Sequence, residues 1–136
     1  MDVQNISGSY VYRSLLNSPY LGEDFYKLKF GEGLMTITQQ ENGDFTGDFD
    51  MGDNYLMTLE GTVYNDGTNT NFKMRAIGVD TTPTKGWIYD YQGIVVPDWP
   101  NGIDQILTVV GSVIRVVDHG ISKAGVTATF YMVYRG

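Results

Sequence analysis

The sequence predicts an all-β protein, a single antiparallel eight-stranded up-and-down β-barrel domain spanning residues 1–136. Three observations point there. Apolar residues recur at every second position, short turn-forming segments divide the chain into eight pieces, and nearly every piece carries an internal glycine. Alternation marks a strand with one buried face, because successive side chains leave opposite faces. Connections this short force neighbours to pair antiparallel, since a parallel crossover needs about a dozen residues or more. A glycine inside a strand weakens it and is kept where the sheet must bend. Eight bent antiparallel strands curl into a closed barrel, which also removes the exposed edges. A two-sheet β-sandwich is the alternative.

The strands are expected at 7–13, 25–39, 44–50, 54–64, 71–79, 86–95, 105–117 and 125–135. In the first, Tyr10 and Tyr12 share a face. The segment "RSLLNSPYLGEDF" that follows has room for a turn or two of helix before Pro19 stops it. The second strand ends at "ENGD", a hairpin signal. The fourth sets Tyr55, Met57, Leu59, Gly61 and Val63 against Leu56, Thr58, Glu60, Thr62 and Tyr64. The fifth sets Phe72, Met74, Ala76 and Gly78 against Lys73, Arg75 and Ile77. In the sixth, Trp87, Tyr89 and Tyr91 are placed inward and Asp90 outward, because an unpaired buried carboxylate is costly. Asp90 then joins Glu60 and Arg75 in a cross-strand ion-pair cluster. The eighth sets Val126, Ala128, Phe130, Met132 and Tyr134 against Thr127, Thr129, Tyr131, Val133 and Arg135. Gly8, Gly33, Gly47, Gly61, Gly78, Gly93 and Gly111 mark the bends.

The seventh strand, "QILTVVGSVIRVV", is apolar on both faces: Ile106, Val110 and Ile114 on one, Leu107, Val109 and Val113 on the other. A doubly apolar strand needs a second covering. Outward Leu107, Val109 and Val113, beside the uncharged Thr127, Thr129, Tyr131 and Val133, predict a homo-oligomer, dimer or tetramer, through strands 105–117 and 125–135. The competing cover is the chain's own segment 14–24.

Composition limits the function. Hydrophobic residues make up 42% and charged residues 18%, a globular balance. Nine Lys and Arg against sixteen Asp and Glu give a net charge of −7, which disfavours nucleic acid and anionic membrane as partners. The apolar runs are too short for a membrane span and "MDVQNISGSY" lacks the features of a signal peptide, so a soluble, cytoplasmic protein is expected, with a trimmed secreted form as the other possibility. There are no cysteines and one histidine, so thiolate chemistry is removed and neither a metal nor a cofactor is expected. "DFDMGDN", with Asp48, Asp50 and Asp53, reads as a solvated hairpin and not a calcium loop. His119 in "RVVDHG" reads as a solvated turn residue, because Asp118 beside it diverges.

The run "LMTITQQENGDFTGDFDM", then "YLMTLEGTVYNDGT", then "GWIYDYQG" resembles the avidin and streptavidin barrels across about the middle half of the chain. That resemblance implies a calycin-type barrel with a ligand pocket at one mouth, usually in a homotetramer. It does not imply biotin. Tyr12 and Leu16 stand where the family's first-strand Asn and Ser belong, and of its later tryptophans Trp87 alone is present.

In a meander the connections alternate between two ends. One end receives "ENGD", "NDGTNT" and "VPDWPNG"; the other receives 14–24, "DMGDN", "VDTTPTK" and "VDHGISKAG". The second set brings Arg13, Ser14, Asn17, Asp80, Lys85, Asp118, His119 and Lys123, and is read as the open mouth. Trp99, between two prolines at the first end, is read as a plug. The expected function is binding of a small apolar or aromatic molecule, since eight strands leave room for side chains and one small ligand. The expected lining is Tyr10, Tyr12, Phe49, Tyr55, Met57, Phe72, Met74, Trp87, Tyr89, Phe130 and Met132, with Arg13 or Lys85 at the mouth for an acidic group. The opposing possibility is that these aromatics fill the barrel completely. The alternative function is a cofactor-free cyclase or isomerase with a tyrosine or carboxylate as acid or base, to which the closing "ATFYMVYRG" adds a generic similarity to allene oxide cyclase-like barrels.

Overall fold

The structure, a computed structural model, describes residues 3–136. Eight strands close into one antiparallel barrel in the order of the sequence. They are β1 (Gly8–Leu16), β2 (Lys29–Gln39), β3 (Asp44–Asp50), β4 (Leu56–Asn65), β5 (Thr70–Gly78), β6 (Ile88–Val95), β7 (Thr108–Arg115) and β8 (Thr127–Tyr134). The seam pairs the first strand with the last, from Tyr10 opposite Tyr134 to Leu16 opposite Ala128. Among the described residues no helix is long and apolar enough to cross a membrane.

Strand boundaries differ from expectation by up to four residues, most at the start of the second strand. Residues Phe25–Leu28 form a single helical turn, α1, and not the start of the second strand. Its cap is local: the Asp24 carboxylate accepts from the Tyr26 N–H at 2.9 Å, fixing a helical start that period-two reading ignores. The helix anticipated before Pro19 is absent, because β1 runs on through Leu16.

Alternation places the core as the pattern requires. Tyr12, Phe49, Met57, Phe72, Met74, Tyr91, Phe130 and Met132 are all buried within the barrel. The outer cluster forms as well. Glu60 lies opposite Arg75 and Arg75 opposite Asp90, with bidentate bonds of 2.7 and 2.9 Å from the guanidinium to the Asp90 carboxylate. Both partners are well exposed, so Asp90→Asn is expected to lower stability by under about 1 kcal/mol in urea unfolding.

The seventh strand takes the register opposite to the one expected. Val109 and Val113 are buried inside at 0% and 1% exposure, and Leu107 packs against the core. The outward residues are Thr108, Val110, Ser112 and Ile114. The reason lies in Gly111, which faces Gly93 of β6. A Cβ on Gly111 would overlap the Gln92 carbonyl, so the two glycines let β6 and β7 approach closely at the inner face.

The closed end is stoppered, though not by tryptophan. Trp99 is 73% exposed, and its loop is shaped from outside by Gln105, whose amide bonds both the Trp99 N–H and its carbonyl. The stopper is the segment before β1. Ile6 is fully buried, its N–H donates to Gln39 Oε1 at 2.9 Å, and its carbonyl accepts from the Tyr10 hydroxyl at 2.6 Å. Ser7 Oγ takes the Gln39 N–H at 2.8 Å. An apolar side chain whose flanking backbone is already bonded fills a barrel end at less cost than a tryptophan from a loop held by its own clamp.

Candidate functional site

The site begins with an irregularity in β2. Ser14 pairs with Gly31 and Leu15 with Lys29, which leaves Phe30 as an extra residue without a β1 partner. Such a bulge re-aims a side chain. The Phe30 ring reaches over the open mouth to the far wall, where it meets the Tyr89 ring at 5.9 Å, edge to face, and the Arg115 guanidinium at 4.9 Å.

Beneath Phe30 lies a cavity of about 60 Å³. Its floor is Tyr12 and Tyr91, which rest on Phe130 at 5.8 and 5.4 Å. Phe49, Met57, Trp87 and Tyr89 form the walls, with Ser14 and Met51 toward the rim. Tyr55 stands outside, 5.9 Å from Trp87. The other interior side chains belong to one continuous apolar core.

Five of the expected lining residues therefore meet the cavity: Tyr12, Phe49, Met57, Trp87 and Tyr89. Phe130 supports it from below and Tyr55 borders it. Tyr10, Phe72, Met74 and Met132 are buried away from it and do not line it. Phe72 stacks on Phe45 at 5.3 Å and Tyr10 meets Tyr134 at 5.7 Å, filling the closed half. Arg13 is not at the mouth. Alternation along β1 sends Tyr12 inward and Arg13 outward, where its Nη1 donates to the Tyr131 hydroxyl at 3.2 Å. Lys85 is exposed on the β5–β6 connection and does not line the cavity.

His119 is the largest correction. It is no free turn residue: its ring stacks on Trp87 at 4.0 Å and its Nε2 lies 2.6 Å from the Tyr89 hydroxyl. The backbone of His119 is fixed by paired bonds with Ser122, and Asp118 turns away to accept from the Ala124 N–H. Arg115 Nε donates to the Tyr89 oxygen at 3.1 Å. In the Nδ1–H tautomer the phenol accepts from Arg115 and donates its own proton to His119 Nε2; in the other tautomer Nε2–H donates to the phenol.

These contacts set the protonation states. Burial, and then the Arg115 charge, lower the pKa of His119, so it is neutral at neutral pH. Burial pushes the Tyr12 and Tyr91 phenols upward. The cavity therefore offers neutral hydroxyls in an aromatic box and can orient a polar atom without bringing in charge.

A pH dependence follows. Unfolding returns His119 to an ordinary value near ~6.5, so the unfolded chain binds more protons as pH falls through that value. Stability is fully present above it and declines toward and through the lower folded value. Thermal midpoints measured from pH 7.5 to 5.5 are expected to fall, and His119→Asn to flatten that slope.

Of the residues sequence reasoning missed, Arg115 and His119 shared one available signal. Arg115 has the same parity as Val113 and so faces inward at the strand's end, beneath the turn that carries His119. Phe30 had none, because a bulge is set by pairing with a distant strand. Compared with known proteins, the chain matches no family model, no curated protein and no solved structure.

Proposed function

We propose that the protein is a small-molecule-binding barrel, calycin-like and avidin-like in architecture, that takes the end of a flat or apolar ligand at its open mouth. One observation supports this above the others: an aromatic-walled cavity lies beneath Phe30 at the open mouth, lined by hydroxyls. Ligand sites commonly span about 300–1,000 Å³, and a dry cavity that holds benzene is about 150 Å³. A space of 60 Å³ admits a group of a few atoms, and the rest of the ligand lies between Phe30, Trp87 and Tyr55. With Trp99→Phe, Trp87 becomes the sole tryptophan reporter. Small aromatic and aliphatic compounds are expected to quench or shift its emission; a panel with no effect removes the proposal.

The Tyr89–His119 pair favours a second reading, a cofactor-free isomerase or cyclase. A neutral imidazole 2.6 Å from a phenol can take a proton through it. Turnover with product mass equal to substrate mass, abolished in Tyr89→Phe while Trp87 still responds to substrate, would establish it.

Self-association through β7 and β8 is proposed on a revised face. Val110 lies beside Ile94 and Tyr131, and Val133 beside Thr108 and Val11, all half-buried and uncharged. Residues 19–27 are themselves exposed, and Asn17 alone of that loop is bonded to this face, through Thr129. A second copy is the occupant that buries the same apolar strip twice. Sedimentation at micromolar concentration is expected to show a dimer that Val110→Lys dissociates; a monomer unaffected by the change removes the idea.

A further inference from the structure

Arg115 is a cation in an acidic protein that has no acid to bind. Sixteen carboxylates accompany nine basic side chains, yet among the described residues none lies within ion-pair distance of Arg115. The nearest candidate in sequence, Asp118, is engaged with the Ala124 N–H and faces Lys123 at 4.0 Å.

Its guanidinium is nonetheless held in place. Nε donates to Tyr89, Nη1 donates to the Lys123 carbonyl at 3.1 Å, and the flat face covers Phe30. A guanidinium has five N–H groups. Two have acceptors here, and the others, both of Nη2 among them, have none among the described residues. A fork fixed in this way suits bidentate capture of a carboxylate, and its fixed position lowers the entropy lost on binding.

We infer that the ligand is a carboxylic acid, bound with its carboxylate on Arg115 and its apolar end in the cavity beneath Phe30. The inference rests on the open mouth being the ligand site. Phe30 and Tyr89, which hold the guanidinium, are also walls of that cavity, so a carboxylate at Arg115 brings the adjoining carbons to its entrance. No Asp or Glu lines the cavity to repel it.

The test compares acids with their uncharged amides: benzoate with benzamide, 3-phenylpropanoate with its amide, and hexanoate with hexanamide. Affinities are read from Trp87 emission in the Trp99→Phe background at low salt and pH 7.5. At least one acid is expected to bind tenfold or more tightly than its amide. Arg115→Met should erase that preference by weakening the acid far more than the amide, and Arg13→Met, on the outer wall, should leave it. Arg115→Lys keeps the charge but loses the fork, so a several-fold loss for the acid alone is expected; it serves if the methionine variant fails to fold. Equal binding of acid and amide in the parent, or a preference that survives loss of Arg115, overturns the inference and leaves the cavity reading intact. If no probe of either kind alters Trp87, the cavity reading fails and the inference falls with it.

Discussion

Phe130→Ala is expected to destabilise the protein by about 3–5 kcal/mol, the range for removing a large buried aromatic. Phe130 is 1% exposed and touches rings from three other strands: Tyr12, Phe72 and Tyr91 at 5.8, 6.2 and 5.4 Å. These cannot all close the gap, because each is fixed by its own strand. Urea unfolding should show a lower midpoint with an unchanged slope. The void opens directly beneath the cavity floor, so the variant should also accept a whole aromatic ring. Added benzene is expected to raise its thermal midpoint more than the parent's. A loss below about 1.5 kcal/mol, with no benzene effect, would mean that Tyr12 drops into the space.

Gly78→Ala is the second large effect, at about 3 kcal/mol, the upper part of the overpacking range. Gly78 ends β5, and its N–H donates to the Trp87 carbonyl at 2.9 Å. A Cβ there would overlap the carbonyl of Thr84, which cannot retreat. Thr84 is fully buried, and its hydroxyl bonds the Leu56 carbonyl and Thr82 Oγ1. The same connection carries Trp87 into the cavity wall, so its emission should shift with the loss of stability. Gly22, with open space around it and no positive φ, is the control: Gly22→Ala should change stability by less than about 0.5 kcal/mol.

The barrel was legible in the sequence because seven strands alternate cleanly or nearly so, and a strand with one wet face states its own register. β7 has no wet face, and Val109, Val110, Val113 and Ile114 give no parity. Gly111 did carry that information. Gly33, Gly47, Gly61 and Gly93 all share the parity of buried neighbours, so a glycine at 111 places Val109 and Val113 inside with it. The site was legible only where strands supply it, through Tyr12, Phe49, Met57, Trp87 and Tyr89. Its polar part depends on a bulge opposite Ser14 and a turn that returns His119 over Trp87. Both are set by contacts between residues far apart in the chain, and local periodicity says nothing about them. Arg13 follows a simpler rule: it lies near a mouth in sequence, but alternation along β1 turns its side chain to the outer wall.

The seam between β1 and β8 governs how the chain reaches this state. Every other pairing joins sequence neighbours and can form as a hairpin within about 1–10 μs. The seam joins positions as far apart as Arg13 and Tyr131, 118 residues, and forms only when six intervening strands are already curled. Folding is therefore expected to be slow for a chain of this size, in the millisecond-to-second range. During synthesis at about 5–20 residues per second, the outer edge of β1 stays unpaired for several seconds until β8 emerges. Throughout that interval the sheet has two free edges and an uncovered aromatic face, the conditions under which chains pair with one another instead of with themselves. Refolding yield should fall with protein concentration even though the finished barrel exposes no edge. Deleting β8 should give an aggregating open sheet and not a smaller barrel.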